Sequence, residues 1–202
     1  MERSTVIISY YTPNYTPVIE KYLLPTIQKF NLESDIQLVS SLGNWQNNTK
    51  FKPGFILSML EKHKKSLIWI DADGTIEQYP FLFWQIPQEY DIVVYYLDWY
   101  LHWKNKPNQP IRELISATMM FRYNDKVISL LKEWIENCKQ NNTGTWEQKI
   151  LEQTLMKRKD INVYNLPNEY CCILLQDNSI PKYIQNPVII QHQASREYKR
   201  KQ

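Results

Sequence analysis

Glycine is scarce in this chain, with only Gly43, Gly54, Gly74 and Gly144 among 202 residues. Neither a G-x-G-x-x-G turn nor a G-x-x-x-x-G-K loop can be built from these positions. Any bound nucleotide must therefore have its phosphates held by something other than a glycine-rich cradle. Cysteine is equally sparse. Cys138, Cys171 and Cys172 show no zinc spacing and form no even set, so buried free thiols are the expected state. No apolar run reaches the roughly 20 residues needed to cross a bilayer. Met1-Glu2-Arg3-Ser4 leads straight into a strand-like segment without the layout of a signal peptide, and the expected location is cytoplasmic. Strong net charge is missing too. The total is +3, and Arg196, Lys199, Arg200 and Lys201 against Glu197 account for all of it. That balance points to no nucleic-acid partner, although the basic tail is able to touch phosphates or anionic lipid.

What remains is an ordinary globular composition, 43% hydrophobic and 22% charged, at a length that suits one domain with a real core. Thr5 to Tyr11 reads as a buried strand, followed by a helix from Thr16 that Pro25 ends or kinks. Asp35 to Ser40 reads as a second strand and Leu42 to Thr49 as a polar loop. Lys52-Pro53-Gly54 opens a helix bearing Phe55, Ile56, Met59 and Leu60. Strands are expected over Asp91–Tyr96 and Leu114–Phe121, with a Trp- and Tyr-rich loop from Asp98 to Pro110 between them. Helices are expected over Asn124–Cys138 and Trp146–Lys157, the second capped by Thr145. Short strands close the chain at Ile161–Leu166, Tyr170–Leu175 and Pro187–His192. Alternating strands and helices predict an α/β fold in one domain, a mixed, mostly parallel sheet flanked by helices.

The segment that organises the rest is Ser66-Leu67-Ile68-Trp69-Ile70-Asp71-Ala72-Asp73-Gly74-Thr75. A buried strand ends there in two carboxylates one residue apart. Open α/β sheets bind ligands at the carboxyl ends of their strands, and paired carboxylates are hard oxygen ligands. Asp71-Ala72-Asp73-Gly74-Thr75 matches the D-x-D-G-T signature of the haloacid dehalogenase-like phosphatases, in which the first Asp attacks phosphate. That motif normally occupies the first strand and needs a later acidic pair. Asp91, Asp98, Asp125, Asp160 and Asp177 are all isolated.

Over nearly its whole length the chain resembles the GT-A-fold glycosyltransferases that use nucleotide-sugar donors. The resemblance implies that Asp71 and Asp73 coordinate Mn²⁺ or Mg²⁺ bridging the donor diphosphate, with His192, at the end of a late strand, as third ligand. It implies a nucleotide-binding half over 1–97 and an acceptor-binding half over 98–202 that carries the C-terminal metal and diphosphate segment. Tyr11 and Thr12, ending the first strand, would hold the base and ribose. Lys52, Ser195 and Arg196 would meet phosphate oxygens, and Ala72 would lie against the donor. Glu147 is the expected general base for the acceptor hydroxyl, and Asp98 the reserve. The implied activity is metal-dependent transfer of a sugar, from UDP by the resemblance, to a hydroxyl on a glycan, a protein or a modified nucleobase. A phosphatase using Asp71 as nucleophile and a catalytically silent sugar- or nucleotide-binding module are the alternatives.

Overall fold

The computed structural model describes residues 5–103, 111–141 and 143–196. The start Met1–Ser4, residues 104–110 of the aromatic loop, and the tail charges Glu197, Lys199, Arg200 and Lys201 lie outside the described residues. Its strands form where the apolar runs are. β1 (Thr5–Tyr11) and β3 (Ser66–Ile70) pair in parallel, and β2 (Ser34–Leu38) pairs in parallel with β1 on the outside. β5 (Ile92–Asp98) and β7 (Val163–Asn165) form a second parallel pair. Between the two groups runs β6 (Arg112–Phe121), antiparallel to both β3 and β5, giving the order β2-β1-β3-β6-β5-β7. The result is the expected mixed, mostly parallel sheet. The halves 1–97 and 98–202 both contribute strands to it, because β6 is inserted between strands of the first half.

The strand pleat sorts the core into two layers. Val6, Ile8, Leu67 and Trp69 face α4 (Lys52–His63), α7 (Asp125–Gln140) and α8 (Glu147–Lys157). Ile7, Ile68 and Ile70 face the other way, onto α1 (Thr16–Lys21) and α2 (Leu23–Lys29). In α7 the buried residues Val127, Leu130, Leu131, Trp134 and Cys138 keep the helical period. A small second sheet packs below. Its order is β4 (Gly74–Ile76), β9 (Ile189–Gln191), β8 (Cys172–Ile173), with β4 and β9 antiparallel. Among the described residues no helix is long and apolar enough to cross a membrane.

Several local expectations are corrected. The first helix breaks at Tyr22 and not at Pro25, which falls in the first turn of α2, where a missing N–H breaks no helical bond. The polar loop contains a helix, α3 (Trp45–Lys50), because Asn44 caps it by accepting from Asn47 N at 2.8 Å. α6 (Trp99–Trp103) is a short helix at the start of the segment read as a loop, and another short helix, α5 (Leu82–Gln85), precedes β5. Thr145 does not cap α8. It pairs with Thr143 at 2.8 Å, and Trp146 takes the cap position without a side-chain bond.

Gly74 is demanded by packing. A Cβ there would lie 2.5 Å from Ile70 Cγ2 and 3.1 Å from the Asp71 carbonyl oxygen, under the crossing of β4 and β9. Gly74→Ala is expected to cost about 1–3 kcal/mol of stability in urea unfolding. A variant as stable as the parent would show that this crossing relaxes freely.

Candidate functional site

The carboxyl ends of β1, β3 and β5 and the amino end of β6 meet at one edge of the sheet, and a cleft of about 670 Å³ opens there. Tyr10, Tyr11 and Thr12 form one wall, Asp71, Ala72 and Asp73 the floor, and Glu113, Ser116, Glu147 and Gln148 the opposite wall. Trp45, Trp146, Trp99 and Trp103 rim it, with Gln193, Ser195 and Arg196 closing the lower side. The fold thus gathers residues from nearly the whole length of the chain.

The floor is held by a buried lysine. Lys52, in the first turn of α4, is 4% exposed. Its ammonium lies 3.1 Å from Asp71 Oδ1 and 3.2 Å from Glu147 Oε1, and it donates to Ser116 Oγ and the Ser116 carbonyl. Burial works against its charge, but Asp71 and Glu147 outweigh that and hold its pKa above the ordinary lysine value. Burial likewise pushes Glu147 upward. Lys52 and the hydroxyl of Ser116, donating at 2.8 Å, more than offset this and hold the carboxyl below its usual range. Trp134 Nε1 fixes the start of α8 by donating to the Glu147 carbonyl.

These contacts give two residues parts other than those expected. The charge of Lys52 is engaged by two carboxylates, so it orients Asp71 and does not wait for a donor phosphate. Glu147 is an ion-paired carboxylate of depressed pKa, a poor proton acceptor. The reserve base, Asp98, ends β5 and accepts from Leu101 N at 3.0 Å, anchoring α6, and it is not among the residues that line the cleft.

Asp71 keeps about a third of its side chain exposed and accepts from Trp69 Nε1 at 2.7 Å on the same oxygen that meets Lys52. Asp73 is buried, accepting from Ala194 N at 2.6 Å. Burial, then the charge of Asp71, pushes its pKa up to about 6. His192 does not join them. Its backbone N–H donates to the Asp73 carbonyl, while its ring stacks on Tyr22 at 4.3 Å and lies 3.0 Å from Thr75 Oγ1. Burial lowers its pKa and favours the neutral ring. Among the described residues no three His, Cys, Asp or Glu side chains form a metal cluster. The reason is the β4–β9 pairing, which brings His192 to Asp73 through the backbone and leaves the imidazole against α1's end.

Tyr11, Thr12, Ala72, Ser195 and Arg196 all line the cleft. Tyr10 is packed into the core against Phe51, Phe55 and Trp69. Arg196 donates to the Leu174 and Leu175 carbonyls with its guanidinium over Trp103. Glu113 and Ser116 are among the cleft residues that escaped sequence reasoning. A polar pair inside the apolar strand β6 was the available signal.

Two outcomes follow from these charges. Lys52→Met would leave Glu147 buried without its counter-ion, and a loss of about 3 kcal/mol or more is expected in urea unfolding. A buried Asp73 with a folded pKa above its unfolded one binds its proton more tightly when folded. Stability should therefore fall by up to about 3 kcal/mol as pH rises from about 4 to 6, and Asp73→Asn should flatten that decline. Thermal unfolding across that range checks it.

Comparisons with known proteins bear on this site. Residues 34–202 match the family model described as nucleotide-diphospho-sugar transferase. No curated protein sequence matches the chain. Among solved structures, a glycosyltransferase involved in the glycosylation of the major capsid of PBCV-1 superposes with a TM-score of 0.72 at 12% identity. That match covers 98% of this chain and 97% of the other. The bifunctional glycosyltransferase WbbM superposes with a TM-score of 0.60 at 12% identity, covering 96% of this chain and 46% of that one. At such identities the two structures share the fold. The family match, spanning most of the sequence, says more: the chain belongs to the nucleotide-diphospho-sugar transferases.

Proposed function

We propose that the protein binds a UDP-sugar together with Mn²⁺ or Mg²⁺ and moves the sugar to an acceptor hydroxyl. The observation that carries this reading is the pair Asp71 and Asp73 on the cleft floor. Asp71 offers one oxygen to Lys52 and Trp69, and Asp73 offers one to the Ala194 amide. Each carboxylate therefore retains a second oxygen. Their mutual repulsion and the burial of Asp73 are what a divalent cation relieves, and two protein carboxylates completed by substrate phosphates is a common arrangement for such ions. The residues fit the ion, with His192 supporting the Asp73 loop through its backbone.

When bound, the cation offsets the negative charge that builds on the departing nucleoside diphosphate. The rest falls to the chain. Tyr11 and Thr12 at the end of β1 bind the nucleoside on one wall. Lys52 orients Asp71 on the cleft floor. Ser195 and Arg196 close the lower side of the cleft beside the diphosphate. The uracil preference rests on the family resemblance. The phosphatase reading asks for the Asp71 segment on the first strand, but here it follows β3, and the family match is to the sugar transferases.

The test is a thermal-shift panel of UDP-, GDP-, CDP- and dTDP-sugars with and without Mn²⁺. A UDP-sugar is expected to raise the melting temperature only with the metal, and Asp73→Ala is expected to abolish the shift. Stabilisation by none of the donors would refute the reading.

A further inference from the structure

The cleft wall opposite the Asp pair carries a carboxylate that the donor site does not use. Glu113 is the second residue of β6, opposite Leu97 of β5, and lines the cleft between Trp99 and Gln148. Two neutral donors from different elements aim it. Trp99 Nε1 of α6 donates to Oε2 at 2.7 Å, and Gln148 Nε2 of α8 donates to Oε1 at 2.8 Å. Among the described residues no lysine or arginine is ion-paired with it. This sets it apart from Glu147, paired with Lys52, and from Glu152, paired with Lys149. A cleft carboxylate oriented through both oxygens yet without a counter-ion is what proton transfer requires.

We propose that Glu113 is the catalytic base, taking the proton of an acceptor sugar hydroxyl presented against the Trp99 and Trp103 indoles. The assignment rests on the transferase reading above. In the step, the acceptor O–H bond breaks and its proton passes to the Glu113 carboxylate. The acceptor oxygen forms a bond to the anomeric carbon, and the bond from that carbon to the diphosphate oxygen breaks, its electron pair leaving with the nucleoside diphosphate. Indole faces suit the apolar side of a pyranose, while Glu113 and Gln148 bind its hydroxyls.

The surroundings keep the carboxylate basic. Burial raises its pKa, and the bonds from Trp99 and Gln148 pull it back in part. Of the charged groups on neighbouring elements, Glu152 raises it and Lys149 lowers it, both from α8. Arg112, beside it on β6, turns to the Tyr96 ring, and Asp98 of β5 turns to the Leu101 amide. His102 of α6 bonds Tyr183 and is neutral, its pKa lowered by burial to about 4.

The test uses whichever nucleotide-sugar stabilises the wild-type protein with Mn²⁺. Nucleotide release is followed from about pH 5 to 8 with water and with methyl pyranosides as acceptors. Glu113→Gln should keep the donor-induced thermal shift and lose release by a hundredfold or more, together with the acidic limb of the pH profile. Glu113→Asp should recover part of the rate. Trp99→Phe, which removes one bond to the carboxylate, should move the acidic limb to higher pH. Release by Glu113→Gln at the wild-type rate with the limb intact overturns the assignment and leaves the transferase reading standing. Failure of every nucleotide-sugar to bind the wild type overturns both. Donor binding by a wild type that releases nucleotide to neither acceptor makes the protein a binding module and also overturns the assignment.

Discussion

The ammonium of Lys52 is the contact on which the cleft depends. It joins four elements, the first turn of α4, the loop after β3, the middle of β6 and the start of α8, through Asp71, Ser116 and Glu147. Placing a lysine at 4% exposure is costly unless its charge is met, and here two carboxylates, a hydroxyl and a carbonyl meet it. The gain is one of geometry more than of net stability. Apolar residues of similar volume would fill the same space, but they would not fix the direction of a carboxylate on the cleft floor. Trp69 completes the clamp from within the same strand.

Around that clamp, four carboxylates in one cleft acquire four different characters. Glu147 is neutralised and held below the usual carboxylate range, while Asp71 shares the same lysine yet stays partly exposed. Asp73 is buried with its pKa pushed up to about 6, so a cation is the natural partner for its charge. Glu113 is bound only by neutral donors among the described residues and is raised by burial. Environment, and not residue type, separates the group that anchors, the groups suited to an ion and the group suited to a proton.

The fold was legible because its signals are local and redundant. The runs around Ile7, Ile68 and Val93 could only be strands, and the spacing of Val127, Leu130, Leu131 and Trp134 could only be a helix. The Asp71–Asp73 pair was legible for the same reason, since its place after a buried strand follows from adjacent residues. Loops were read less well. Trp45–Lys50 lacks an apolar stripe, so only the Asn44 cap marks it as a helix, and the antiparallel sense of β6 depends on a connection that no local pattern encodes.

By itself, then, the sequence determined the α/β class, where the main strands lie along the chain, the position of the paired carboxylates and the absence of a glycine cradle for phosphate. Only the tertiary structure decided which distant side chains meet. Lys52 and Glu147 looked like independent phosphate and base candidates until folding brought their charges within 3.2 Å of each other. His192 looked like a metal ligand until the β4–β9 register turned its ring to Tyr22 and Thr75. Glu113 drew no notice as an acidic residue ahead of the expected strand until Trp99 and Gln148 were seen to aim it. The physical reason is common to all three. A side chain's charge and direction are set by the low-dielectric neighbours that folding supplies, and those neighbours lie far away along the chain, as Tyr22 does from His192.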